Sequence, residues 1–167
     1  TDRLGGKFAI LVGAGGSAIM NLLMGLVTMG IVNGTGLLGF DRATLASNLT
    51  VIFSVLYALN MYFQSFGAVA IVKCNAPWFH VRERGVFGAI FGILISVGIY
   101  FAFDVGYMII EHMSLEKLFF VPTVMLSIFW VIDILVVRNT PGEAGFLDFD
   151  TADASSGTTV SWNPSGA

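Results

Sequence analysis

Residues Lys73 to Gly85 read KCNAPWFHVRERG, and they decide how this chain is arranged. Three side chains in this segment are basic, and Glu83 is its only acid. Runs without any charged residue lie on both sides of it, at 43–72 and at 86–103. A short cationic segment between two apolar runs of this length predicts a helical hairpin, with the loop and both adjoining helix ends on one side of a bilayer.

The overall composition agrees with a membrane protein. Hydrophobic residues make up 56% of the 167 residues and charged residues only 11%, whereas a soluble domain carries about 25% charged residues. The single cysteine, Cys74, excludes an internal disulfide and a multi-cysteine metal site. We expect no cofactor and no metal.

The apolar runs predict an all-α, polytopic membrane protein. The first run, 8–32, is free of charge and would span about 37 Å as a helix, against a hydrocarbon core of about 30 Å. Within a membrane region at 8–138 we predict four transmembrane helices, at about 8–32, 45–72, 86–110 and 118–137. The acidic, Ser/Thr/Gly-rich segment 139–167 predicts a flexible linker.

Polar residues inside the second run share one helical face. Tyr57, Asn60 and Gln64, followed by Gly67, are offset by 0, 3, 7 and 10 residues. Polar side chains of a membrane helix face protein or water rather than lipid. Both hydrogen bonding between helices and the lining of a substrate path agree with this pattern.

Two acids, Asp104 and Asp133, lie within the third and fourth runs. A carboxylate at membrane depth is costly, so proton or cation coupling is one hypothesis for each. Each also lies within several residues of a helix end, where its side chain can reach water. Asp133 precedes Arg138 by five residues, so a loose ion pair is a further alternative.

Small residues form rows that predict close helix packing. The first run contains Gly13, Gly15, Gly16 and Ser17. Within the third run, small residues form two rows with a spacing of four residues: Gly88, Gly92, Ser96 and then Gly98, Ala102, Gly106. We expect both rows to be helix contact seams.

The basic residues predict the orientation of the chain. Arg42 and Lys117 lie on one predicted side of the membrane, and six basic residues lie on the other: Arg3, Lys7, Lys73, Arg82, Arg84 and Arg138. The side that is richer in Lys and Arg is cytoplasmic. We therefore expect both chain ends and the central loop in the cytoplasm, and a bacterial inner (plasma) membrane as the location.

Three motifs resemble the major facilitator superfamily, and within it the organophosphate:phosphate antiporters, which include glycerol-3-phosphate and hexose-phosphate transporters. Asp2-Arg3-Leu4-Gly5-Gly6-Lys7 is similar to the superfamily's loop between helices 2 and 3, G-x-x-x-D-R-x-G-R-[RK]. The stretch from Phe63 to Gly85, with Gln64, Gly67, Trp78-Phe79 and Glu83-Arg84-Gly85, resembles helix 4 and the following loop. Arg138-Asn139-Thr140-Pro141 resembles the R-D-T-P that ends helix 6.

The resemblance covers nearly everything up to Gly145 and implies that the chain corresponds to helices 3 to 6, in the N-terminal six-helix half of a twelve-helix transporter. It implies alternating-access transport of a small organic anion, such as a phosphorylated metabolite in exchange for phosphate. The family's helix-5 histidine falls on Ile95, and the adjacent Ser96 joins the residues predicted to line the substrate path. Asp2 and Arg3 are expected to pair with Glu83 and Arg84 across the cytoplasmic face in one transport state. The alternative is that these charges only set topology. The gate or topology set is Asp2, Arg3, Lys7, Lys73, Glu83 and Arg84.

A second hypothesis is a non-transporting membrane sensor, or an accessory subunit of a larger membrane complex, on the same scaffold. The expected partners are the lipid bilayer, a small anionic solute, and the remaining transporter helices or a larger complex. An enzyme is not expected, because no nucleophile, base and orienting group can be assembled from these residues. Nucleic-acid binding is not expected either, because there is no extended basic face.

Overall fold

The computed structural model describes residues 5–148 and 150–151, and this part of the chain is built from helices. The α-helices are α1 (Gly5–Val32), α2 (Arg42–Ser47), α3 (Leu49–Asn75), α4 (Arg84–His112) and α5 (Lys117–Val136). Short 3-10 turns follow α3 at Ala76–Trp78 and α5 at Gly142–Ala144. Four of the α-helices, α1, α3, α4 and α5, are long and apolar enough to cross a membrane. The prediction of an all-α protein with four membrane-length helices is confirmed, and it indicates an integral membrane protein.

Helix α1 is the centre of the helix array, because its glycines bring α3 and α5 close to its backbone. Gly13 and Gly16 meet α3: a Cβ atom at Gly13 would lie 3.0 Å from the Phe63 carbonyl oxygen, and one at Gly16 would overlap the Phe63 ring. Gly15 and Gly25 meet α5, where a Cβ atom would lie 3.0 Å from the Trp130 Nε1 and 2.9 Å from the Phe120 ring respectively. Only glycine permits this approach, so the predicted packing role of the α1 small residues is confirmed.

Helix α4 stands apart from the other three. It packs mainly against α5 near the turn that joins them, where the Cβ position of Gly106 lies 3.5 Å from Leu118 Cδ1. Gly88, Gly92 and Gly98 have open space at their Cβ positions. Within the described chain, the two α4 rows therefore do not form the contact seams that we expected, and the α1 glycines form the close contacts instead.

The second membrane helix begins later than the sequence suggests. The apolar run is broken at Asn48, whose side-chain Nδ2 donates to the Thr44 carbonyl oxygen at 2.9 Å and ends the short α2. Asp41 caps α2 by accepting a hydrogen bond from the Thr44 backbone N–H at 3.2 Å. These local side-chain bonds compete with helix continuation, so α3 starts at Leu49 rather than at residue 45.

The first part of the predicted linker folds back on the membrane helices. The Gly142 backbone N–H donates to Asp148 Oδ1 at 2.8 Å, and the Asn139 backbone N–H donates to Glu143 Oε2 at 2.8 Å. The Val81 N–H donates to the Thr151 carbonyl oxygen at 3.1 Å, which ties this segment to the loop between α3 and α4. Residues 139–148 are thus a folded turn, while 152–167 lie outside the described residues.

Candidate functional site

A cleft of about 610 Å³ opens between α1, α3 and α4. We call it the central cleft. Its size falls in the range of small-molecule sites, roughly 300–1,000 Å³. Its walls are mostly apolar, and they are formed by Ile10, Gly13, Ala14, Ser17, Gln64, Gly67, Ala68, Ile71, Phe91, Ile95 and Leu126.

Gln64 supplies the largest polar group of the central cleft. It lies near the middle of α3, so its amide stands at membrane depth. Its Nε2 donates to the Oδ1 of Asn60 at 3.2 Å, one helical turn earlier. Asn60 is only 5% exposed and holds the Gln64 amide from behind. The Gln64 amide oxygen has no hydrogen-bond partner among the described residues.

Ser17 contributes the second polar group, from the middle of α1. Its side chain is 3% exposed, and its hydroxyl makes no hydrogen bond within the described part of the chain. Other hydroxyls in these helices bond the carbonyl four residues earlier, as Thr28 does to Met24 at 2.9 Å. A buried hydroxyl without a partner is costly and uncommon. Gln64 is exposed and offers its amide to the central cleft, whereas the Ser17 hydroxyl is buried within the wall of that cleft.

The other three residues predicted to line a substrate path do not line the central cleft; Asn60 lies behind Gln64, and Tyr57 and Ser96 lie elsewhere. Tyr57 is 57% exposed and does not line the central cleft. Ser96 is exposed on α4, with its hydroxyl bonded to the Gly92 carbonyl oxygen at 3.0 Å. Its neighbour Ile95 lines the cleft instead, because adjacent residues of a helix point about 100° apart.

Asp104 lies on the face of α4 that points away from the central cleft, and it is exposed there. Tyr100, Tyr107 and Glu111 share this face at spacings of four, three and four residues from one to the next. We call these four residues the outer polar face. None of them lines a cleft with α5 or α1. A carboxylate of a membrane helix faces water or protein rather than lipid, so this face needs such a neighbour. The helical spacing of Tyr100, Tyr107 and Glu111 around Asp104 is visible in the sequence, but only Asp104 was predicted to be functional.

Asp133 is half-buried and lies one turn before the end of α5. The loose ion pair with Arg138 is not formed, since the described residues contain no contact of this kind between them. The nearby Lys7 Nζ donates instead to the Ile134 carbonyl oxygen at 2.7 Å. Asp133 is thus close to a helix end rather than to the centre of the bundle.

The start of α1 and the ends of α3 and α5 meet at one end of the array, which we call the basic end. The Lys7 backbone N–H donates to Asn139 Oδ1 at 2.9 Å, and Cys74 Sγ lies 3.7 Å from the Arg138 carbonyl oxygen as a weak donor. Gly6 lies against Cys74, where a Cβ atom would be 2.9 Å from the Cys74 nitrogen. The hairpin geometry brings Lys7, Arg138 and the loop cations to the same end.

The loop between α3 and α4 is closed by Arg84, whose Nη2 donates to the Ala76 carbonyl oxygen at 2.7 Å. Glu83 precedes α4 and is exposed, and Lys73 lies in the last turn of α3. Asp2 and Arg3 lie outside the described residues, so their pairing with Glu83 and Arg84 stays a prediction.

Two acids stand at the N-terminal ends of helices at the opposite end, and only Asp41 caps its helix through its side chain. Hydrogen bonding from the side chain and backbone of Thr44 lowers the pKa of Asp41. The Ser114 hydroxyl donates to Glu116 Oε1 at 2.5 Å and lowers the pKa of Glu116. Both acids lie outside the membrane-spanning helices and favour their charged forms.

Comparison of the chain with protein family models, with curated protein sequences and with solved structures gave no match. The function must therefore be inferred from the central cleft, the charge distribution and the sequence motifs.

Proposed function

We propose that this chain is part of a secondary active transporter of the major facilitator type, which moves a small organic anion across a membrane by alternating access. The observation that carries the proposal is the central cleft, where the exposed Gln64 amide lies in a mostly apolar wall between membrane-length helices.

The position of Gln64 near the middle of a membrane-length helix supports a role in solute binding. A polar side chain in lipid loses its hydrogen bonds, so such residues mark water-filled or substrate-bearing paths. Transporters of this type bind substrate near the bilayer midplane, between helices that rearrange. Gln64 and Ser17 both lie near the middle of their helices, and the Asn60 hydrogen bond fixes the orientation of the Gln64 amide.

The anionic substrate class is supported by charge and by the motifs. Lys7, Arg84 and Arg138 lie at the basic end, where cations attract anions, and the acids Glu83 and Glu143 lie at the same end. The resemblance of 63–85 to the antiporters favours a phosphorylated metabolite exchanged for phosphate. We place the basic end in the cytoplasm of a bacterial cell, because Lys and Arg enrichment marks the cytoplasmic side.

A role for the loop charges in gating belongs to the same proposal. Glu83 and Arg84 stand at the start of α4, beside the ends of the other helices. Exposed ion pairs contribute only about 0 to 1 kcal/mol each. Such an amount still shifts a balanced equilibrium between two conformations.

Counterflow tests the function. The complete protein that contains this chain is reconstituted in liposomes loaded with unlabelled phosphate, and entry of labelled phosphate or labelled sugar phosphate is followed. We expect transient accumulation that depends on the internal phosphate. Absence of flux with every anion, under both exchange and proton-gradient conditions, would contradict a transport function.

The outer polar face favours a second candidate, an accessory subunit of a larger membrane complex. Asp104 and the two tyrosines are exposed on α4 and require water or protein against them. In a transporter, further helices of the same protein would cover them. Co-purification of a stoichiometric membrane partner, together with a lack of flux by the chain's own protein, would support the accessory role.

A further inference from the structure

A second cleft, of about 340 Å³, opens at the basic end. We call it the basic-end cleft. It lies where α1 begins and where α3 and α5 end, and Ile10 borders both this cleft and the central cleft. Its walls include Ile10, Trp78, Phe79, Val136 and Arg138.

The basic-end cleft combines a cation with an apolar wall. Arg138 is half-buried, and its Nη1 donates only to the Val137 carbonyl oxygen, at 3.0 Å. No carboxylate of the described chain pairs with this guanidinium. Two acids, Asp133 and Glu143, each lie five residues from Arg138 along the chain, and Glu143 accepts a hydrogen bond from the Asn139 backbone N–H at 2.8 Å. Arg138 therefore retains donors in the planar arrangement that suits a phosphate group.

The depth of the cleft points to a lipid. Trp78 ends the second membrane span, Leu49–Trp78, so its ring stands at the membrane interface. Ile10 lies in the second turn of α1, on the membrane side of this level, and Val136 is the last residue of the α5 span and is exposed. A basic pocket between helices, at the height of the head groups, is a general arrangement for phospholipid binding.

We propose that the basic-end cleft binds one membrane phospholipid. Its phosphate accepts hydrogen bonds from Arg138, its head group lies against Trp78 and Phe79, and an acyl chain runs along Ile10 and Val136. The lipid joins the ends of α1, α3 and α5. This inference does not depend on transport, since binding is measured on the purified protein.

Native mass spectrometry tests the proposal. The complete protein is purified in mild detergent, delipidated and titrated with phosphatidylglycerol, and bound lipids are counted. We expect one saturable lipid per chain. Arg138→Gln should weaken its binding about tenfold, which corresponds to about 1.4 kcal/mol. Arg42→Gln removes the same charge at the other end of the helices and should leave lipid binding unchanged.

A second variant keeps the test decisive if Arg138→Gln does not fold. Val136→Trp adds bulk to the apolar wall and so narrows the basic-end cleft, while the Arg138 guanidinium is kept. It should also weaken lipid binding by about tenfold. Wild-type affinity in both variants, or no saturable lipid on the wild type, would overturn the proposal. Displacement of the lipid by millimolar inorganic phosphate would overturn it too, since the cleft would then be a site for a free anion.

Discussion

The indole Nε1 of Trp130 in α5 donates a hydrogen bond to the carbonyl oxygen of Leu11 in α1, at 2.9 Å. The same nitrogen lies 3.0 Å from the Cβ position of Gly15, so the ring lies directly against the α1 backbone. This contact joins two residues that are 119 positions apart in the sequence. Helix α5 contacts α1 at Gly15 and Gly25, whereas α3 contacts it at Gly13 and Gly16.

Removing this hydrogen bond should weaken the helix array slightly. Trp130→Phe keeps an aromatic ring and loses the donor. We expect a loss of about 0.6 kcal/mol, the average for such bonds between membrane helices. Tyr107→Phe, on the outer polar face, is the matched control and should not change stability. Unfolding in mixed micelles measures both, and equal stability of Trp130→Phe and the wild type would refute the role of the bond.

The glycines of α1 should tolerate a methyl group far less well than those of α4. At Gly16 a Cβ atom would overlap the Phe63 ring, whereas at Gly92 it meets open space. We expect Gly16→Ala to destabilise the chain by about 1–3 kcal/mol through overpacking. Gly92→Ala should be neutral or slightly stabilising, because alanine favours helix. Thermal unfolding of the two variants compares them, and equal losses would contradict the central position of α1.

Asp41 should titrate below its ordinary pKa of 3.8. Hydrogen bonds from Thr44 favour the carboxylate of the folded state, so the folded pKa is lower than the unfolded one. The capping contribution to α2 is therefore complete above about pH 4 and is lost as the pH falls through the folded pKa. Carboxyl chemical shifts of the folded protein report the midpoint. Thr44→Val removes the hydroxyl and keeps the backbone N–H, so it should move the midpoint part of the way toward 3.8, and an unchanged midpoint would exclude the Thr44 hydroxyl as a cause.

Arg84 should affect transport more than folding. Its guanidinium bonds the Ala76 carbonyl oxygen and closes the loop before α4. We expect Arg84→Ala to change the exchange rate of the complete transporter several-fold while the folded yield stays near that of the wild type. Arg82→Ala changes the same charge in the same loop, at an exposed position, and is the control. Unaltered exchange kinetics in Arg84→Ala would remove the gating hypothesis.

The four membrane helices could be predicted from the sequence because charge-free runs of membrane length have few other solutions. Because two predicted spans separate Lys7 from the central loop, and two more separate that loop from Arg138, the sequence also predicted that these cations share one end of the helices. The break at Asn48 was missed, since it depends on a side chain that bonds back to Thr44, and hydropathy does not detect such a bond.

The packing of α4 could not be predicted from the spacing of its small residues. Small residues recur in both α1 and α4, yet in the described chain the α1 glycines lie tightly against other helices, whereas in α4 only Gly106 lies in ordinary contact with one. A row indicates that close approach is possible, but it does not identify the neighbour. The cleft position of Gln64 was among the open alternatives, whereas the unpaired hydroxyl of Ser17 depends on packing that no spacing reveals.

We propose that Gln64 faces a path for a dissolved anion. Cysteine labelling at this position measures whether water and the anion reach it. Gln64→Cys and Val69→Cys are each made in a Cys74→Ser background of the complete protein. Val69 is exposed on another face of α3 and does not line the central cleft, so it should lie in lipid. In sealed vesicles, a membrane-impermeant maleimide reports which position water reaches.

We expect the impermeant reagent to modify Gln64→Cys and not Val69→Cys, and we expect phosphate or a sugar phosphate to slow the modification at position 64. If position 64 reacts no faster than position 69, with or without the anion, the central cleft is not a solute path and the proposed transport function is contradicted.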